Sequence, residues 1–341
     1  MPIKRDNKLP PYVYLRKSGY VMRVYIGKNQ PMKAIKLCSA SAPISEVWKQ
    51  YELNKSNNLQ TLSWLLREYE SSDSFKGNAK STRDMQSGQI TRVCAYKLRN
   101  GNTFGSAKLK LITSGKIRKY LDARKRDGSP SAGNRERSLI SVAWNWALER
   151  DVIIGINNPC SVVKKNEEKP RTRYASPDEY AKAYQLAERY PYLQPMMELA
   201  YLCRMRRGEI LNATRAQILE KGFDTMRTKG SNDAITRWSP RLLKAVNCDS
   251  PVLSGSVKSI YIVHDRRGQQ ITVEAFKSAW TRLKRLMVKA GMEPFNFHDI
   301  KAAGVSDVEG NDYDKLQASG HKDLKTMRIY DRKKRLVDPT E

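Results

Sequence analysis

The chain has 341 residues, and its 63 lysines and arginines against 35 aspartates and glutamates leave a formal net charge of +28, an excess that points to a polyanionic partner, most simply nucleic acid. Its length calls for two or three domains, and its five scattered cysteines, with no Cys-x-x-Cys pair, exclude a disulfide framework or a cysteine-based zinc site. No apolar run approaches the roughly 20 residues of a bilayer span, and the start MPIKRDNKLPPYVY lacks a secretory apolar core, so a cytoplasmic protein with no membrane partner is expected.

Residues 1–55 read as a small β-rich unit. Tyr12, Tyr14, Tyr20, Val21 and Val24 sit in short runs broken at Lys17-Ser18-Gly19 and at Gly27-Lys28-Asn29-Gln30, and a short helix is expected from Pro43 to about Asn54. Arg16, Lys17 and Arg23 interleave with these aromatics, a pattern suited to phosphate contact, although a solvated sheet has the same composition.

Residues 58–163 read as all-helical. The series Leu62, Leu65, Leu66, Tyr69, then Ile117, Tyr120, Leu121, then Leu139, Val142, Ala143, Trp146, Ala147 has helical spacing and marks a core. Arg118, Lys119, Arg124, Lys125, Arg135, Arg137 and Arg150 fall on the other faces, where they either meet DNA or keep the helices soluble. Val163–Arg173 is polar, carries Pro170, and reads as an exposed interdomain connection.

A third domain, 174–341, opens at Ser176-Pro177-Asp178-Glu179, a capping box with proline in the first turn. Phe223–Asn232 is a strand running into a turn. Thr272 caps a helix whose face is Val273, Phe276, Trp280, Leu283 and Met287 and which ends before Gly291.

The chemistry-bearing residues lie in four segments of this domain. Leu202-Cys203-Arg204-Met205-Arg206-Arg207-Gly208-Glu209-Ile210 offers Arg206 as a planar fork for two phosphate oxygens, with Glu209 three residues on to orient it. Lys229 follows in Arg227-Thr228-Lys229-Gly230. His298-Asp299-Ile300-Lys301 and Gly320-His321 hold two of the chain's three histidines, and Tyr330 lies nine residues beyond His321. Singly, each has a bland reading: an exposed basic helix end, a solvated turn lysine, a structural histidine, one packing tyrosine among 17. His264 fits no pattern and is taken as structural.

Together, in this order and spacing, these segments resemble the active site of the tyrosine recombinases, the phage integrase family. Leu9-Pro10-Pro11 with Tyr14-Leu15-Arg16-Lys17-Ser18-Gly19-Tyr20 is similar to the amino-terminal arm-type DNA-binding domain of lambda-like integrases. Ser131-Ala132-Gly133-Asn134-Arg135-Glu136-Arg137 leading into Trp144-Asn145-Trp146-Ala147 resembles the last long helix of the family's core-binding domain. The resemblance implies a tyrosine recombinase fold: a small β-rich domain, an all-α core-binding domain, and a mixed, mainly α catalytic domain with a small β-sheet.

The resemblance also implies roles. Tyr330 would attack the scissile phosphate to give a 3′-phosphotyrosyl enzyme, with His298 accepting its proton. Arg206, Lys301 and His321 would stabilise the charge on phosphorus, and Lys229 would protonate the departing 5′-oxygen. Arg16, Lys17, Arg23, Arg135 and Arg137 would contact DNA. No cofactor or metal is implied, since one phosphoester replaces another. The implied partners are double-stranded attachment sites, three further copies of the chain in a tetramer, and DNA-bending and directionality proteins, in the cytoplasm of a bacterial host and at its nucleoid when DNA-bound.

The chain departs from the family pattern twice: Cys203-Arg204 stands where Thr-Gly is common, and Lys301 stands where His-x-x-Arg is usual. The second departure supports an alternative, a catalytically idle DNA-binding regulator or architectural protein. A type IB topoisomerase shares the chemistry but needs no arm domain. A metal-dependent nuclease would want converging carboxylates, and Asp299, Asp307 and Glu309 form no ligand pattern; a nucleotide-driven enzyme would want a P-loop, which is absent.

Overall fold

A computed structural model describes residues 8–24, 33–58, 60–228, 230–247, 259–334 and 339–340. The chain divides into two compact units, Met1–Glu168 and Lys169–Glu341.

In the first unit, β1 (Val13–Arg16), β2 (Gly19–Val24) and β3 (Lys33–Cys38) form an antiparallel sheet in sequence order, the first pair closing over Lys17-Ser18. Helix α1 (Ile44–Asn58) runs longer than its expected end near Asn54, and Val47 and Tyr51 from it pack with Val13, Met22 and Leu37. The turn expected at Gly27–Gln30 lies outside the described residues.

A second, larger apolar cluster of this unit is helical. It is built from α2 (Leu62–Ser71), α3 (Asp73–Lys76), α4 (Lys80–Ala95), α5 (Ser114–Arg126) and α6 (Pro130–Leu148). Leu62, Leu65, Leu66, Tyr69, Ile117, Tyr120 and Leu121 lie in it as their spacing required. On α6 the buried stripe is Leu139, Ile140, Ala143, Trp144 and Ala147, so two expected core residues are displaced: Val142 is 48% exposed and Trp146 only partly buried. Gly133 lies in line with Ile140 and Trp144, seven and eleven residues on, and a β-carbon there would stand 2.8 Å from Arg124 Cβ, so α6 meets α5 closely on this face while Val142 falls on the opposite one.

Glu136 is fully buried on the same face. It accepts from Tyr120 Oη at 2.7 Å, Arg124 Nε at 2.9 Å and Arg92 Nε at 3.2 Å. Arg124 is therefore part of the interior rather than of a solvated face.

The expected connection Val163–Arg173 is largely tied down. Asn134 donates to Asn166 O at 2.8 Å and accepts from Asn166 N at 2.7 Å, Arg118 donates to Lys164 O at 2.9 Å, and Arg137 donates to Val163 O at 3.0 Å. Side-chain amides supply the partners that polar backbone would otherwise take from water. At the other end, Arg173 pairs with Glu179, leaving Lys169–Thr172 as the exposed stretch.

The second unit holds α7 (Pro177–Leu186), α8 (Leu193–Leu202), α9 (Arg207–Leu211), α10 (Pro240–Asn247), α11 (Val273–Lys289), α12 (Phe297–Ser306), α13 (Asp312–Ser319) and α14 (Leu324–Arg328). An antiparallel sheet of β4 (Ile218–Leu219), β5 (Gly222–Thr225) and β6 (Ala234–Arg237) accompanies them. The Ser176–Glu179 capping box forms at the start of α7, and Thr272 caps α11, whose Phe276, Trp280, Leu283 and Met287 are buried. Helices α8 and α12 cross at Gly304, where a β-carbon would lie 2.2 Å from Tyr201 O. That approach brings the ends of α8 and α12 to one place, and the site lies there.

Candidate active site

Helix α8 ends at Leu202, and the chain turns through Arg204 in the left-handed region, φ +51°, to start α9 with Arg206 as its N-cap residue. Glu209, in the first turn of α9, folds back: it accepts from Arg206 N at 2.7 Å, Arg206 Nη1 at 2.8 Å, and from both Thr228 N and Thr228 Oγ1 at 3.1 Å. Burial works to raise this carboxyl, but the donors from Arg206 and Thr228 outweigh it and hold it below the ordinary range. Arg206 is further held by Thr228 O at 3.3 Å and Ser231 Oγ at 3.0 Å. Its guanidinium is thus oriented before any ligand arrives.

Asn296 starts α12, placing His298 in the first turn and Lys301 one turn later on the inner face. His298 Nε2 lies 3.0 Å from Tyr330 Oη, within hydrogen-bond reach. Lys301 is fully buried; its Nζ sits 5.6 Å from the centre of the Tyr330 ring and has no hydrogen-bond partner among the described residues. Burial first, then Arg227 and Arg206, push Lys301 down to about 6.

Helix α13 ends at Gly320 with φ +70°, and a β-carbon there would meet Asn232 O at 2.5 Å and Arg227 Nε at 3.0 Å, so only glycine lets His321 approach the β5–β6 connection. The His321 ring lies 4.6 Å from that of Tyr330. Its Nδ1 is 2.8 Å from Ser319 Oγ, whose own proton goes to Leu316 O at 3.0 Å, so Nδ1–H donates and the neutral ring keeps a buried, unpartnered lone pair at Nε2. Burial, then Lys301 and Arg206, lower His321 to about 4. Burial, then Lys301, also lowers His298 to about 4.

Arg206, Glu209, His298, Lys301, His321 and Tyr330 therefore converge, although they span 125 residues of sequence. Lys229 lies outside the described residues. Arg16 and Lys17 are exposed at the β1–β2 turn, and Arg23 stacks over Tyr14 at 5.4 Å. Arg135 is exposed on α6, whereas Arg137 is committed to backbone carbonyls of Cys160 and Val163. His264 is buried with Nδ1 at 2.7 Å from Asp265 O. Asp299 and Asp307 serve separate partners, Arg332 for the first and the hydroxyls of Tyr174 and Tyr201 for the second.

Several contributors carry no sequence signal of their own. Arg227 donates to Arg204 O at 2.6 Å, Cys203 O at 3.0 Å and Ala318 O at 3.3 Å, joining the arginine turn to the end of α13. Tyr330 is held from behind. Ser306 Oγ donates to Tyr330 O at 3.1 Å, Lys315 Nζ pairs with Asp331 at 3.0 Å, and Arg332 Nη1 pairs with Asp299 at 2.7 Å. Only the charges of these pairs were visible beforehand, not their partners. Both side chains of Lys315 and Asp331 are 10% exposed, so Asp331→Asn should strand the ammonium and lower stability by about 3 kcal/mol. Urea unfolding would measure it, and a change within about 0.5 kcal/mol would show that the pair is not a working anchor.

Buried Lys301 Nζ and His321 Nε2 each cost about 1–3 kcal/mol unless a ligand supplies a partner. With Arg204, Arg206 and Arg227 nearby, the matching ligand is an anion.

Residues 173–335 match the model of the phage integrase family. The integrase of Enterobacteria phage 434 is 26% identical over 230 residues, covering 64% of this chain, and the chain spans only 61% of that relative's length. Among solved structures, a lambda integrase dimer bound to a COC′ core site is similar at TM-score 0.68 and 20% identity over 99% of both chains. A lambda integrase tetramer bound to a Holliday junction gives 0.67 and 20%, again over 99% of both. The Tn1549 transposon integrase in complex with circular intermediate DNA gives 0.61 and 14%, covering 80% of this chain and 95% of that one. These structures share the fold, mixed helices with small sheets. The family match encloses all six convergent residues, and the domain that carries them, residues 173–335, is a phage integrase family domain.

Proposed function

We propose that this chain is a site-specific DNA recombinase that cuts and rejoins DNA through a 3′-phosphotyrosyl intermediate, integrating and excising a phage or related mobile element. The observation that carries the reading is the 3.0 Å contact between Tyr330 Oη and His298 Nε2 beside a cluster of cations. A phenol is a poor nucleophile at its ordinary pKa of about 10, and here a mostly neutral imidazole stands where it can take the proton. Tyr330 Oη bonds to phosphorus, the bond to the 5′-oxygen breaks, and Lys229 protonates that oxygen. Arg206, Lys301 and His321 hold the non-bridging oxygens. The 5′-hydroxyl of a partner strand then reverses the step, so no ATP or metal enters the balance.

In this reading residues 1–55 bind arm sites, 58–163 grip the core site, and 174–341 carry the chemistry. Arg16, Lys17, Arg23 and Arg135 contact DNA phosphates. The protein works in a bacterial cytoplasm as a tetramer on paired double-stranded sites, with bending and directionality proteins as further partners. No described helix is long and apolar enough to cross a membrane.

The test is a covalent adduct. Duplexes selected by the protein from a random pool, then nicked near the scissile position, should trap it in a protease-sensitive, denaturant-resistant complex in EDTA and without ATP. Strict dependence on magnesium, or no adduct on any bound duplex, would overturn the proposal.

A pH effect follows from the same geometry. Lys301 and His321, lowered to about 6 and about 4 in the free protein, are mostly unprotonated near neutrality. A phosphodiester favours their charged forms and raises both, so the complex binds more protons than its parts and affinity should weaken as pH rises above about 6. Calorimetry in buffers of differing ionisation enthalpy should show net proton uptake, smaller for Lys301→Met. Zero uptake would refute the assignment of either group to the phosphate.

A further inference from the structure

We infer that Arg204 is a second phosphate-binding guanidinium, doing the work that Lys301, with no planar fork, cannot do. The inference rests on the recombinase reading proposed above and adds a residue to its site.

Backbone comes first. Arg204 has φ +51°, a conformation in which a β-carbon crowds the following carbonyl and which glycine adopts without strain. Only two other non-glycine residues among those described share a positive φ, Tyr12 and Asp151, and neither lies in the second unit. Strained positions of this kind persist when the surrounding structure demands them, and they gather at functional sites.

The side chain supplies the second observation. Arg204 Nε donates to Ala318 O at 3.1 Å, fixing the plane of the guanidinium three residues before His321. That carbonyl already accepts from Arg227 Nη2 at 3.3 Å, so Arg204 is not needed to satisfy it. The two terminal nitrogens of Arg204 make no hydrogen bond within the described residues, while Arg227 spends both of its own on backbone carbonyls. Arg204 thus brings two parallel donors that the protein leaves unused.

Its surroundings are cationic. The charge of Arg204 adds to those of Arg227 and Arg206 in depressing buried Lys301. The nearby carboxylates are already engaged, Glu209 by Arg206 and Thr228 and Asp299 by Arg332. Gathering three guanidiniums around a buried lysine is unfavourable in isolation and favourable around a phosphate, and a forked donor is what Lys301 lacks.

The experiment uses the full chain and the nicked duplexes described above. Arg204→Gly should preserve or raise the thermal midpoint, since glycine relieves the strained φ, yet slow adduct formation by about 100-fold, as loss of one preorganised oxyanion donor does. On a duplex whose scissile phosphate carries methyl in place of one non-bridging oxygen, the charge that Arg204 neutralises is gone, and the gap between wild type and Arg204→Gly should shrink to a few-fold. Lys301→Arg, without benefit in the wild-type background, should raise the rate in the Arg204→Gly background by restoring a guanidinium.

A wild-type adduct that forms at the same rate in Arg204→Gly overturns this inference alone. So does a rate loss that tracks a lowered midpoint and persists on the methylphosphonate, the behaviour of a structural staple. A wild type that binds its duplexes but forms no adduct overturns the recombinase reading and this inference with it.

Discussion

Tyr330→Phe should abolish the covalent protein–DNA adduct while leaving duplex affinity within a few-fold of wild type. The substitution removes one hydroxyl and keeps the ring, which lies 4.6 Å from that of His321 and under Lys301 Nζ at 5.6 Å. His298 loses its 3.0 Å partner, but it sits at an exposed edge where water replaces the bond at small cost. Met327, fully buried, and the Lys315–Asp331 and Asp299–Arg332 pairs keep the backbone of this segment in place without the hydroxyl. Binding energy comes from basic residues spread over the chain, which the substitution does not touch. Loss of chemistry with retention of binding is therefore the expected signature, measured by denaturing gel for the adduct and by gel shift for affinity. Adduct at wild-type yield would remove Tyr330 from the role of nucleophile, whatever else the protein does.

Much of the second unit was legible because its signals are local. The Ser176–Glu179 capping box and the Thr272 cap lie within four residues of the helices they start, and the face of α11 is a single helical repeat. The candidate site was read from the family resemblance of its segments, within which His298 and Lys301 lie three residues apart and His321 precedes Tyr330 by one short helix. What escaped depends on pairs far apart in the chain. Asn134 with Asn166, Glu136 with Arg92, Asp299 with Arg332 and Arg227 with Ala318 are separated by 32, 44, 33 and 91 residues. In a chain with 63 basic residues no pattern tells which arginine turns inward, so Arg124 and Arg137 read as solvated or DNA-facing until their partners are seen, and Arg227 carries no signal at all. Val142 and Trp146 failed because α6 carries apolar residues on more than one face, and the buried stripe is the one in line with the close approach at Gly133.

Lys301→Ala should slow cleavage by two or more orders of magnitude, about the effect of deleting a preorganised donor to a developing oxyanion, with duplex affinity changed far less. The Lys301 amine is fully buried, without a hydrogen-bond partner among the described residues, and beside the Tyr330 ring, so it has no visible structural duty and its cost is repaid only when a phosphate arrives. Removing it should accordingly leave folding stability equal or slightly higher, because an unsatisfied buried amine is lost along with its methylenes. Lys301→Arg distinguishes an adapted site from a decayed one. The pocket already holds Arg206, Arg227 and Arg204 around a compact amine, and each of those charges works against a fourth guanidinium. A larger planar group must displace one of them, so the expected result is no gain or a loss of rate. Single-turnover cleavage of a nicked duplex by wild type, Lys301→Ala and Lys301→Arg decides the matter. A feeble wild type strongly rescued by arginine would mean that the lysine marks lost activity, and the chain would then stand as an idle DNA-binding relative of the recombinases. A competent wild type harmed by both substitutions would mean that this site has rebuilt its phosphate clamp around lysine, with the fork supplied from elsewhere in the same turn.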